Sequence, residues 1–242
     1  MPKEYKVLDH GYVKLLNLAG PVRREWAEFD ASDDDPAICA RVSFAKDAVE
    51  KSREDNLKLD SYLITHRHNT PVEMIEVWLE MKLPICIARQ FVRHRTVSIN
   101  EESMRYIEAC PDWYVPYPGH IGYRPNSMKQ GRVITSGEAT EANIWYSRAL
   151  DAQCGLSWNL YQEAIGRGIP PEVARMGLHL NHYTRWVWHQ DLHNLFHMLS
   201  LRKANDAQWE TRQYAGAIYD LISEHLPGLT EIWREKIFLK ED

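Results

Sequence analysis

Apolar and polar residues alternate in short runs near the start of the chain. Tyr5-Lys6-Val7-Leu8 and Tyr12-Val13-Lys14-Leu15-Leu16 predict strand there. Asp33-Asp34-Asp35-Pro36 predicts a helix start, with acids placed for the helix dipole and Pro in the first turn, and Ile38 to Phe44 continues it. Lys51 to Leu63 is polar with helical spacing. Val72 to Met81 alternates in part, Val77, Leu79 and Met81 against Glu76 and Glu80, and predicts a strand. Pro84 opens a helix over Ile85 to Val92, with the cations Arg93-His94-Arg95 in its last turn. Pro111 to Gly137 is rich in Pro, Gly and Tyr and reads as irregular connection. Glu138 to Gly166 carries a long amphipathic pattern through Ile144, Ala149, Leu150, Leu156, Leu160 and Tyr161. A further helix starts at Pro170-Pro171-Glu172 and carries Arg175. His189 to Lys203 and Ala207 to His225 give two more, the last ended by Pro227-Gly228. Helix outweighs strand, which predicts the α+β class, with no internal repeat and no low-complexity tract.

Composition narrows this. The 242 residues, 44% of them hydrophobic, can bury one full core, and no linker divides them, so a single domain over 1–242 is expected. A net charge of −5 argues against a general nucleic-acid binder. Cys39, Cys86, Cys110 and Cys154 form no C-x-x-C pair, which fits reduced thiols in a cytoplasmic protein. No apolar h-region opens the chain and no run nears the ~20 apolar residues of a membrane helix, so no membrane partner is expected.

Against that acidic background, Arg93-His94-Arg95-Thr96-Val97-Ser98-Ile99-Asn100-Glu101-Glu102-Ser103-Met104-Arg105-Tyr106 stands out. Unpaired, such charges are too costly to bury. A plain surface helix would interleave Lys with Glu, whereas each fixed cation here is Arg, the residue suited to forked contacts with phosphate or carboxylate. The segment reads as a site for a planar, anionic, hydrogen-bonding ligand, most simply a nucleotide. If Arg93, Arg95, Arg105, Arg175 and Arg202 converge, they supply five fixed cations, and a dinucleotide diphosphate plus a nucleoside monophosphate brings nearly as much negative charge, at ~1.5–2 per terminal phosphate. Taken alone, His68 to Glu73 is an ordinary capped loop and Arg175 a surface residue.

A competing chemistry comes from His189, His193 and His197, spaced i, i+4, i+8. One helical face carrying three imidazoles can hold a metal ion, as in a metal-dependent hydrolase. Gln190 stands where a hydrolytic carboxylate would be needed, and the third His lies two turns from the first, at ~5.4 Å per turn, so no metal is expected.

The Arg93–Tyr106 segment resembles the flavin-dependent thymidylate synthase family, whose signature R-H-R-x-x-S-x-N-E-x-S-x-R-Y it meets at every fixed position. The resemblance extends to the His68–Glu73 turn, to Ala174-Arg175 with Tyr183-Thr184, and to Leu199–Arg202 with Ala207–Glu210. It implies an antiparallel sheet packed with long helices, a homotetramer, and reductive methylation of dUMP to dTMP. FAD would be the cofactor, with 5,10-methylenetetrahydrofolate and NADPH as co-substrates. By position, it implies that Gln90, Arg93, Glu101, Ser103, Arg105, Arg175 and Arg202 hold dUMP, Arg202 also activating the base. For FAD it implies Thr70, Glu73, Arg93, His94, Arg95, Asn100 and Glu101, together with Asp191, His193 and His197, three positions where the family often has other residues. The alternative is a non-catalytic nucleotide-binding protein of the same fold.

Overall fold

The computed structural model describes residues 3–25, 27–44, 51–126, 131–134 and 138–241. A hairpin comes first, β1 (Glu4–Val7) and β2 (Gly11–Ala19), followed by α1 (Asp35–Arg41) and α2 (Arg53–Thr65). Ser52 caps α2 by accepting from the Asp55 amide at 3.2 Å. β3 (Glu76–Pro84) runs straight into α3 (Ile85–Phe91), and β4 (Ser98–Glu101) follows. Then come α4 (Pro118–Ile121), α5 (Glu141–Gly166), α6 (Pro171–Ala174), β5 (Tyr183–Asp191), α7 (Leu192–Lys203), α8 (Trp209–His225) and α9 (Pro227–Trp233).

The five strands form one antiparallel sheet in the order β1-β2-β3-β5-β4. Register puts Val77, Leu79 and Met81 beside Gln190, Trp188 and Trp186. Side chains two apart share a face, so this row meets Leu195 and Leu199 of α7, Ile218 and Leu221 of α8, and Trp233 of α9 in one buried core. A second, smaller core joins Met104 and Ala109, beyond β4, to Tyr161 of α5 and Ala174 of α6. No helix among the described residues is long and apolar enough to cross a membrane.

The α+β class and the antiparallel sheet agree with expectation, and four local readings are corrected. Val72–Met74 is a 3-10 turn, so the strand starts at Glu76. Arg93, His94 and Arg95 lie beyond the end of α3 at Val92, not in its last turn. His189 belongs to β5 and α7 begins only at Leu192, which removes the single helical face the metal reading needed. Pro227-Gly228 does not end the helical part of the chain but opens α9. The stretch 111–137 is mostly irregular as expected, apart from α4 and residues 127–130 and 135–137, which lie outside the described residues.

Candidate functional site

α3 is the platform. Ile87, Ala88 and Phe91 are buried beneath it, which turns Gln90 toward the other side. After Val92 the chain makes a tight turn in which Thr96 takes a left-handed conformation at φ 64°. The buried Gln190 of β5 donates to the Arg95 carbonyl at 3.2 Å, tying that turn to the sheet. The β4–β5 pairing then fixes Ser98 through Glu101 along the sheet edge.

The nominated residues form two groups. In the first, the Arg202 Nε–H donates to His94 Nε2 at 2.8 Å, and Gln90 bonds Gln208 and Thr211 at 2.6 and 3.1 Å. Gln90, Arg202 and Gln208 line a cavity of about 770 Å³ together with Arg132, Trp209 and Arg212, while His94 and Thr211 hold Arg202 and Gln90 from outside it. Half-burial, then the Arg202 charge, then His197 push the His94 pKa down to about 4. The ring is therefore neutral at pH 7 and can accept from Arg202.

The second group flanks the smaller core that Met104 and Ala174 share: Ser103 and Arg105 adjoin Met104 in the chain, and Arg175 adjoins Ala174. Arg105 bonds the Tyr106 hydroxyl at 3.0 Å and sits over its ring. Glu101 accepts from Thr184 Oγ1 at 2.6 Å, a bond that leaves the carboxylate's other oxygen open.

Arg93, Arg95, Arg105, Arg175 and Arg202, the five cations of the charge count, make no ion pair with a carboxylate among the described residues, nor does Arg212 on the same cavity, whereas Arg24, Arg53, Arg132, Arg167, Arg185 and Arg234 all do. Nothing bonds Arg175 to Arg93 or Arg202 within the chain. Thr70, Glu73 and Asn100 are exposed, as is His197, and His193 is half-buried at the start of α7. Asp191 uses both carboxylate oxygens on Asn194, accepting from its amide at 2.9 Å and from Nδ2 at 2.7 Å, and so serves as the N-cap of α7. Arg132 and Thr211 escaped the sequence reading. Arg132 sits in the irregular stretch, where no periodicity marks it, and Thr211 is one polar residue in an amphipathic helix.

A family model described as "Thymidylate synthase complementing protein" matches residues 27–228. Proteins named flavin-dependent thymidylate synthase are similar over most of the chain. That of Wolbachia pipientis is 38% identical, covering 93% of this chain and 74% of its own. That of Ruegeria pomeroyi is 38% identical over 93% and 71%, and that of Thermus thermophilus 37% over 93% and 76%. Among solved structures, the UMP/dUMP methylase PolB from Streptomyces cacaoi, bound with 5-Br dUMP, matches with a TM-score of 0.80 and 25% identity, over 96% of this chain and 97% of that one.

Proposed function

We propose, from the premise that the chain belongs to the Thymidylate synthase complementing protein family, that it methylates dUMP to dTMP, with FAD as cofactor, 5,10-methylenetetrahydrofolate as one-carbon donor and NADPH as reductant. The observation that carries the reading is a set of five guanidinium groups without carboxylate partners, of which Arg202 lines the cavity and bonds His94, between Arg93 and Arg95, while Arg105 and Arg175 flank the smaller core. Unpaired cations in an acidic chain are suited to anionic ligands.

In this reading Gln90 and Arg202 hold the base and Arg93 its flank. Ser103, Arg105 and Arg175 take the phosphate, and Glu101, oriented by Thr184, accepts from the ribose hydroxyl. Arg202 acts on the base. Its Nε–H is engaged by His94, so the remaining guanidinium N–H groups face the cavity and stabilise negative charge developing on the uracil N3/O4 edge. Burial lowers the Arg202 pKa from its ordinary value. Partial desolvation of this kind strengthens its electrostatic action.

The residues present also fit a flavin dinucleotide. Beneath the Arg93–Thr96 turn, the buried Gln190 keeps an Oε1 acceptor with no partner, and Arg93, Arg95, His193 and His197 offer donors suited to a diphosphate and its adenosine. Bound there, FAD would supply the reducing equivalents that turn a methylene bridge into a methyl group.

Two groups of dUMP residues on separate parts of one chain fit a site completed between copies, in the homotetramer implied by the family resemblance. Support comes from the outer side of α5 and its neighbours, where Trp145, Leu156, Leu160, Met176 and Leu180 are exposed. Free thiols fit a cytoplasmic location.

The test is direct. The purified protein should show oxidised-flavin absorption, and it should release tritium from C5-labelled dUMP when given methylenetetrahydrofolate and NADPH. Protein that cannot be loaded with FAD, or that binds dUMP without turnover under any reductant, refutes the reading; the second outcome favours a non-catalytic nucleotide binder.

A further inference from the structure

The amide of Gln90 is part of a longer chain of hydrogen bonds. Gln90 Nε2 donates to Gln208 Oε1 at 2.6 Å, Gln208 Nε2 donates to Glu210 Oε2 at 2.9 Å, and Thr211 Oγ1 donates to Gln90 Oε1 at 3.1 Å. Glu210 is only 2% exposed, and its other oxygen accepts from Arg132 at 2.7 Å and from the Tyr114 hydroxyl at 3.0 Å. Burial pushes its pKa up, but the Arg132 hydrogen bond and charge, the Gln208 amide and a backbone N–H together outweigh this, and the net shift is downward. Glu210 is therefore an ionised, acceptor-only group.

The two ends of a glutamine amide are alike in shape and opposite in polarity. Ionised Glu210 decides which end goes where. Gln208 must turn its NH₂ to the carboxylate, which leaves its oxygen for Gln90. Gln90 must then turn its NH₂ to Gln208 and its oxygen to Thr211. The Thr211 hydroxyl could donate or accept, so it holds the amide without choosing its direction. One N–H and one lone pair of Gln90 remain for a ligand in the cavity.

We propose that Gln208 and Glu210 are positioning residues that lock the polarity of the Gln90 amide and thereby make the site select uracil over cytosine. The proposal rests on the reading that Gln90 holds the base. Uracil presents N3–H as donor and O4 as acceptor, whereas cytosine reverses both. With ribose and phosphate anchored, a locked amide meets uracil with two complementary contacts and cytosine with two opposed ones. A freely turning amide serves either base.

The experiment is calorimetric titration of the flavin-loaded enzyme with dUMP and with dCMP. Wild type should prefer dUMP by about a hundredfold or more. Gln208→Leu, at an exposed position where folding is safe, should cut that preference about tenfold or more by freeing the amide. Glu210→Gln should do the same. Gln208→Glu combined with Glu210→Gln puts an acceptor-only carboxylate directly against the Gln90 nitrogen and should restore the preference, which a merely structural role would not do. An unchanged preference in Gln208→Leu overturns the proposal. Gln90→Ala separates the layers: if it collapses the preference while Gln208→Leu keeps it, only the relay fails. If Gln90→Ala leaves both affinities unchanged, the placement of Gln90 at the base fails as well.

Discussion

Asp60→Asn should stabilise the protein by a margin that grows with pH. Asp60 lies on the inner side of α2 with no exposed surface, and neither carboxylate oxygen has a partner. Burial, then the neighbouring charges of Asp34 and Asp33, push its pKa up to about 8, against a smaller opposing pull from Arg41. In the unfolded chain the value is 3.8. Between these limits the folded state holds a proton that the unfolded state has released, so this group makes stability fall as pH rises. At pH 7 the gap above 3.8 is about three units, which at ~1.4 kcal/mol per unit comes to about 4 kcal/mol relative to pH 4. That is a large share of the ~5–15 kcal/mol that holds a domain folded. Asparagine matches the shape and cannot ionise. Urea unfolding followed by tryptophan fluorescence at pH 5, 6, 7, 8 and 9 should give a variant-minus-wild-type difference that climbs to about pH 8 and then levels. A difference flat in pH, or one that shrinks as pH rises, would refute the reasoning.

Arg202→Ala should lower kcat by ~10²–10³-fold, as loss of one transition-state donor does, while the dUMP dissociation constant measured by calorimetry changes far less; equal losses in both would mark Arg202 as a simple binding residue. His94, with its pKa pushed down to about 4, should give a kcat profile with no acid limb near 6.5. Its neutral form stabilises the fold fully above the unfolded value and loses that effect as pH falls toward 4, where the protonated ring becomes a donor facing the Arg202 donor. A limb at 6.5 that vanishes in His94→Asn would contradict this. Gly11→Ala should destabilise the fold by about 2–3 kcal/mol or more, because an added Cβ would lie 2.0 Å from the Tyr214 hydroxyl and 2.7 and 2.8 Å from the Val7 and Lys82 carbonyls. The Tyr214 hydroxyl donates to the Lys82 carbonyl at 2.8 Å; thermal unfolding of the variant reads the destabilisation directly, and an unchanged Tm would show that this bond yields freely.

What the sequence revealed, and what it hid, follows from how each element is buried. β3 was legible because the buried Val77, Leu79 and Met81 fall on one face while Glu76, Glu80 and Lys82 take the other, Trp78 being the one apolar residue on that outer row. β5 was missed although Trp186 and Trp188 alternate in the same way with Arg185 and Val187. Its inner row also holds Thr184 and Gln190, and the imidazoles of His189, His193 and His197 suggested a helical period instead. The cue to the true boundary was Asp191, whose carboxylate caps α7. The length of α5 was legible, but its apolar pattern does not mark the side it buries within this chain. Asn143, Ser147, Cys154, Ser157 and Tyr161 face inward, while Leu156 and Leu160 are exposed. The candidate site was legible wherever many specified residues stand close together, from Arg93 to Tyr106. Its supports, Arg132 and Thr211, were not, because a side chain's role as a partner is set by tertiary contact and leaves no local pattern.

The exposed apolar side of α5 bears on the site itself. An amphipathic pattern records which side of a helix is dry, and within this chain that side is the wrong one. A dry stripe needs a covering body. The smaller core that holds Met104 and Ala174 sits against the same helix, and it sets the positions of Arg105 and Arg175. The other group, Gln90, His94 and Arg202, hangs instead on the main core through α3 and α7. If copies associate through the α5 stripe, the surface that hides Leu156 and Leu160 is also the surface that brings phosphate-holding arginines up to a base-holding cavity. Assembly and substrate binding would then be linked: dUMP should tighten the oligomer, and Leu156→Lys should weaken dUMP binding although residue 156 touches no ligand. Light scattering with and without dUMP measures the first, calorimetry the second. An oligomer indifferent to dUMP, or a Leu156→Lys variant that dissociates yet binds dUMP normally, would place the whole nucleotide site within one chain.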